Sequence, residues 1–169
     1  MTRALLALFL AGCATAPEPV ADPVVALPET KPLPEETHFS ELRQLSTGGE
    51  NAEAYWSFDG KLLSLQARHG DEGCDRIYTL DPFAAQPKPV LQSSAKGATT
   101  CAHFFPGGKE ILYASTHLGG DACPPKPDMS KGYVWAIYDS YDIFKKDLTT
   151  GALTQLTTEK GYDAEGTVC

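Results

Sequence analysis

Positive charge is what this chain is shortest of. Fourteen lysines and arginines stand against 22 aspartates and glutamates, for a formal net charge of −8. Apart from Lys145-Lys146 the basic residues are scattered. Such a chain has no electrostatic footprint for a phosphate backbone or an anionic lipid surface, so no nucleic-acid partner is expected. The motifs that carry chemistry are missing as well: there is no G-x-S-x-G elbow, no phosphate loop and no H-E-x-x-H. The 5 cysteines include no C-x-x-C pair, which leaves a zinc ribbon unsupported. No catalytic residue, metal or cofactor is therefore expected. Helical periodicity is weak everywhere after residue 39.

What the chain does have is a sentence said twice and begun a third time. The first copy runs from Leu42 to His69 and continues through Arg76-Ile77-Tyr78-Thr79-Leu80. The second opens at Lys88 and runs through Phe104 to His117, with Asp142-Ile143-Phe144-Lys145 further on. The third opens at Leu153 and reaches Cys169. Asp59-Gly60-Lys61 aligns with Gly107-Gly108-Lys109, and Asp-Gly or Gly-Gly between apolar runs marks a tight hairpin whose turn needs positive φ. An aromatic run precedes each turn, Ala54-Tyr55-Trp56 and His103-Phe104-Phe105. A β-rich run follows each, Leu62-Leu63-Ser64-Leu65 and Ile111-Leu112-Tyr113. Pro89-Val90-Leu91 and Leu153-Thr154-Gln155-Leu156 supply a last short strand in each copy. Four short antiparallel strands per repeat make one propeller blade. The expected fold is all-β: a partial β-propeller of two four-stranded blades plus the first strand of a third, over residues 39–169.

The motif residues resemble the TolB-type β-propeller repeat, in which S-P-D-G-K is followed by an apolar strand, a strand of the form I-Y-x-x-D, and L-T opening the next copy. Here they read Ser57-Phe58-Asp59-Gly60-Lys61 and Phe105-Pro106-Gly107-Gly108-Lys109, then Ile77-Tyr78-Thr79-Leu80-Asp81 and Ile143-Phe144-Lys145-Lys146-Asp147. Phe58 replaces the family's Pro and Gly107 its Asp. The resemblance implies a ring of six or more blades, so the chain is expected to be the N-terminal part of a longer protein. It implies little about activity, because such blades serve binding proteins and peptidases alike.

The first residues add a compartment. Met1-Thr2-Arg3 is a short positive start, Ala4 to Ala11 is apolar but too short to span a bilayer, and Leu10-Ala11-Gly12-Cys13 matches the bacterial lipobox. Residues 1–12 are expected to be a lipoprotein signal peptide, with a diacylglyceryl group on Cys13. Ala14 after the cysteine favours the outer membrane. Residues 13–38, with Pro17, Pro19, Pro23, Pro28, Pro32 and Pro34 among several acids, are expected to form an extended tether.

Blade topology distributes the remaining candidates. Cys74, Cys101 and Cys123 are expected on one face, where disulfides are permitted in a periplasmic protein. The preferred bridge is Cys74–Cys101, with Cys101–Cys123 close behind and a fully reduced set as the alternative. The same face carries His69, His117 and an insertion in the second blade, residues 118–141, containing Tyr133, Trp135, Tyr138 and Tyr141. A long loop bearing rotamer-poor aromatics on a rigid scaffold is a candidate partner-binding surface. The alternative is that these rings pack the insertion onto its own blade, and that the two histidines, matched by repeat position, are structural. Glu53 and Glu165 share one slot in the repeat, at the channel mouth, with Cys101 in the same slot between them. Such carboxylates suit a cation or a basic peptide, or simply accept bonds from loop amides. The expected function is a lipid-anchored, non-catalytic cell-envelope scaffold for a protein or envelope partner, attached to the membrane through Cys13. The alternative is the regulatory propeller of a prolyl-oligopeptidase-like peptidase.

Overall fold

The computed structural model of the chain describes residues 29–169. The expected signal peptide, Cys13 and most of the expected tether lie outside the described residues. Among the described residues ten strands follow one another, with one 3-10 turn at His117–Gly119. Strands β1 (Glu29–Thr30) and β2 (Leu42–Arg43) form a small antiparallel pair, which ties the last part of the proline-rich segment to the opening of the first repeat. Strands β3 (Glu50–Trp56), β4 (Leu63–Arg68), β5 (Arg76–Leu80) and β6 (Val90–Leu91) make one four-stranded antiparallel sheet in sequential order. Strands β7 (Thr99–Phe104), β8 (Glu110–Ser115), β9 (Asp142–Asp147) and β10 (Leu153–Gln155) make the second in the same order. These are two propeller blades, each an up-and-down meander.

The turns hold because Gly60 and Gly108 adopt φ of 69° and 66°, where a side chain other than hydrogen is disfavoured. Each blade then closes with a hydroxyl latch. Ser93 Oγ accepts a hydrogen bond from the Ile77 amide at 3.0 Å, and Thr157 Oγ1 accepts one from the Ile143 amide at 2.9 Å. The two residues occupy the same repeat position, just beyond the last strand of each blade.

The blades meet face to face, with β7 lying across β3, β4 and β5. Between them Ile77, Ala102, Ile111, Tyr113 and Phe144 form the core, each no more than 2% exposed. Each large side chain fully buried there is worth about 1.5–3 kcal/mol. Polar bonds across the seam set the stagger of one blade on the other. Ser64 Oγ donates to the Ala102 carbonyl at 2.5 Å, and the Thr99 amide and hydroxyl both donate to the Asp75 carbonyl, at 3.2 and 2.9 Å. Lys146 Nζ reaches back to the Gln92 carbonyl at 2.5 Å.

Beyond β10, residues 156–169 of the third copy form no strand among the described residues. It still packs on the second blade. Gly166 lies so close that a Cβ there would meet Ile143 Cδ1 at 3.0 Å and Leu112 Cδ2 at 3.1 Å.

Candidate functional site

Both inner strands are interrupted at the same place. Pairing of β3 with β4 runs from Ala52↔Gln66 to Tyr55↔Ser64, and pairing of β7 with β8 from Thr100↔Ala114 to His103↔Leu112, so each inner strand carries one extra residue. In that bulge sit Glu53, at φ 50°, and Cys101, at φ 53°. Glu165, in the unpaired third copy, has φ 59°. They are the three described non-glycine residues in the left-handed region. A residue in that conformation costs about 1–2 kcal/mol, and its recurrence at one slot identifies a bulge that re-aims side chains on the inner strands.

The bulges turn these side chains toward one another. A cavity of about 430 Å³ is lined by Glu53, Tyr55, Cys101, His103, Trp135 and Glu165, with Thr167 at its margin. Cys101 Sγ lies 3.5 Å from Glu53 Oε2 and 3.1 Å from Thr100 Oγ1, and the Tyr55 hydroxyl donates to Glu53 Oε2 at 2.9 Å. Gln66 Oε1 accepts from the Cys101 amide, at 3.2 Å, and from Thr100 Oγ1, at 2.8 Å, which secures the backbone N–H at the bulge. Tyr55 and His103 stack with centroids 4.1 Å apart. Burial raises the Cys101 thiol to about 11, with a smaller push from Glu53, and burial lowers His103 against the opposing pull of Glu53. Cys101 is thus a protonated, poorly nucleophilic thiol at neutral pH. Among the described residues no group of three His, Cys, Asp or Glu side chains is placed to hold a metal ion.

The expected disulfide pairing is corrected. Cys74 is joined to Cys123, with Cα atoms 5.8 Å apart, and Cys101 is free. The reason is the bulge: its left-handed turn carries the Cys101 side chain to Glu53, away from the loop that holds Cys74. Cys123 reaches Cys74 because the neighbouring residue is Gly73, where a Cβ would lie 2.8 Å from Cys123 Sγ. Cys169 is exposed and free.

The bridge pins the insertion onto the first blade. Beneath it lies a cleft of about 270 Å³, walled by Gln66, Arg68 and Asp75 on one side and by Trp135, Tyr138 and Tyr141 on the other. Trp135 therefore borders both the cleft and the cavity beside the bulges. Its indole Nε1 donates to the Tyr162 hydroxyl at 2.9 Å. The Tyr138 hydroxyl donates to the Pro125 carbonyl, and Tyr141 meets Tyr162 edge-on at 5.6 Å. Burial pushes the Tyr141 phenol up to about 12. Tyr133 stands apart at 78% exposed, with Val134, Trp135 and Ile137 exposed beside it. Within the insertion Tyr138 and Tyr141 pack down, while Tyr133, Val134, Trp135 and Ile137 keep exposed surface.

His69 and His117 are placed alike. His69 stands edge-on to Tyr78 at 5.4 Å, and His117 leans on Phe144 at 4.5 Å with Nδ1 hydrogen-bonded to Ser115 Oγ at 2.8 Å. Tyr78 and Phe144 are the same repeat position, so each histidine covers the aromatic of its own third strand. Burial lowers His117 below its ordinary value. Two residues escaped the sequence reading. Tyr162 anchors Trp135, and its only signal was its place three residues before Glu165. Arg76 is 6% exposed and has no ion pair among the described residues. Its guanidinium donates to the carbonyls of Ala95, Asp75 and Gly97. A charged residue in a strand with a fully buried pattern is the signal that marked it.

No protein-family model matches the chain, and no curated protein does. Among solved structures it is similar to the crystal structure of TolB from Acinetobacter baumannii, at 23% identity with a TM-score of 0.53. The match covers 75% of this chain and 26% of that chain, so this chain spans about a quarter of the length of the TolB chain it matches. The blade stacking, the repeated inner bulge and this likeness together make the fold that of two consecutive blades of a TolB-like β-propeller.

Proposed function

We propose that the chain is part of a lipid-anchored cell-envelope β-propeller that binds a protein partner through the face carrying the insertion, without chemistry of its own. The observation that carries this reading is the exposed run Tyr133, Val134, Trp135 and Ile137 on a loop that the Cys74–Cys123 bridge fixes to the first blade. Large apolar and aromatic side chains held out on a covalently pinned loop lose little freedom on binding, which is what an interface anchor needs. The acidic surface and the TolB-like fold support a protein partner in the periplasm. Cys13 supplies the attachment, with the proline-rich residues 14–38 as spacer between membrane and blades.

Two measurements test it. A photo-crosslinking amino acid in place of Tyr133, in cells carrying the full-length protein, is expected to give one discrete protein adduct that disappears with Trp135→Ala. No adduct at position 133, or one that persists in Trp135→Ala, refutes the face. Cys13→Ser is expected to move the protein from the membrane to the soluble fraction, and an unchanged membrane fraction refutes the anchor.

A further inference from the structure

The disulfide is asymmetric in its surroundings. Cys74 is buried, while Cys123 is partly open to solvent. Arg76 Nη1 lies 3.5 Å from Cys74 Sγ. That guanidinium is buried and its other contacts are neutral carbonyls, so no carboxylate competes for it among the described residues. A buried cation with no anion favours a negative charge formed beside it. An incoming thiolate also needs access, which only Cys123 offers. The Cys74–Cys123 bond is, besides, the one cross-link between the insertion and the first blade among the described residues, and Trp135 of that insertion walls the cavity that Cys101 also lines.

We propose that Cys74–Cys123 is a thiol–disulfide exchange site for a dithiol, attacked at Cys123 with Cys74 leaving as the thiolate beside Arg76, and that its opening loosens the insertion over the buried Cys101 thiol. In the first step one thiolate of the dithiol forms a bond to Cys123 Sγ as the Cys74–Cys123 bond breaks, its electron pair going to Cys74 Sγ. In the second, the other thiolate of the dithiol attacks its partner sulfur in the mixed disulfide and releases Cys123 as a thiolate. The dithiol is oxidised to a disulfide by two electrons, and the two released cysteines take up the protons that the dithiol gave. A leaving thiol with a lower pKa leaves faster, and a neighbouring guanidinium lowers it. With the bond broken, the insertion keeps the Gly97 amide on the Asp121 carbonyl at 3.0 Å, the Lys96–Asp121 ion pair and the Trp135 to Tyr162 contact, but no covalent tie to the first blade. The buried Cys101 thiol behind Trp135 then becomes reachable.

The purified full chain with the bridge formed is treated with limiting glutathione, quenched in acid and mapped by peptide mass. Glutathione is expected on Cys123, and glutathione on Cys74 overturns the proposal. Reduction by dithiothreitol is expected to slow by about tenfold in Arg76→Gln and to stay within about twofold in Arg76→Lys. Equal rates in wild type and Arg76→Gln overturn it. Should Arg76→Gln not fold, the glutathione map still decides the direction of attack. For the loosening, maleimide labelling of the Cys101 peptide is compared between Cys169→Ser and the same chain also carrying Cys74→Ala and Cys123→Ala. Labelling about tenfold faster without the bridge is expected, and equal labelling overturns the loosening.

Discussion

Exchanging Glu53 for glycine and, separately, for alanine isolates what the inner bulge costs. Both variants remove the carboxylate that accepts from Tyr55 and lies near Cys101, so that loss cancels between them. What differs is the backbone at φ 50°. A side chain there costs about 1–2 kcal/mol, which glycine escapes. Glycine returns roughly 0.5–1 kcal/mol of this through its greater freedom in the unfolded chain. Glu53→Gly should therefore be more stable than Glu53→Ala by about 0.5–1 kcal/mol. One residue earlier, Ala52 pairs regularly with Gln66, and Ala52→Gly should lower stability by about 0.5–1 kcal/mol. The sign of a glycine substitution thus reverses between adjacent residues. Urea unfolding followed by tryptophan fluorescence measures both differences, and a melting shift of about 2–4 °C per kcal/mol provides an independent reading for a chain of this size. Equal stability of Glu53→Gly and Glu53→Ala, or a gain from Ala52→Gly, refutes the argument that the bulge rather than the carboxylate is what the slot conserves across the three copies.

Gly97 offers a larger effect of opposite kind. It has φ 61°, and a Cβ there would meet Thr116 Oγ1 at 2.6 Å and the His117 amide nitrogen at 2.8 Å, so Gly97→Ala should cost about 2 kcal/mol or more, against about 1 kcal/mol at the open Gly107. Matching urea midpoints for the two variants would refute it. Stability should also fall as pH drops below about 6.5, because His103 and His117 are held below their ordinary value by burial and the unfolded chain takes up protons first. The contribution is fully present above the unfolded pKa and is lost as pH falls toward the folded ones. His103→Asn with His117→Asn should flatten the slope between pH 5 and 6.5, and an unchanged slope measured by urea titration refutes the assignment.

Strand β5, Arg76–Leu80, was legible to the residue, and so were the turns at Gly60 and Gly108, because β-branched and aromatic content and positive-φ turns are local signals. The equivalence of Glu53, Cys101 and Glu165 was also legible from alignment of the copies. Its meaning was not: nothing in Glu, Cys and Glu announces a left-handed backbone, a conformation that glycine usually marks. That hidden turn is why the disulfide was assigned wrongly. Topology could bring Cys74, Cys101 and Cys123 to one region, but the choice of partner depended on which way the bulge threw Cys101 and on the path of the insertion. The path rests on contacts of high sequence separation, such as Trp135 with Tyr162, which leave no periodic trace.

The hydroxyl latches at Ser93 and Thr157 bear on how a chain of this kind can grow. Each latch lies inside its own blade and is made before the chain moves on, so every copy carries the fastening that finishes it. A segment duplicated from one latch to the next would bring its own closure with it and would ask its neighbours only for a face to stack on. Lengthening the ring by whole copies is then a matter of gene duplication with little repair, while an insertion of other length must go where the second blade already placed one, in the loop between its second and third strands.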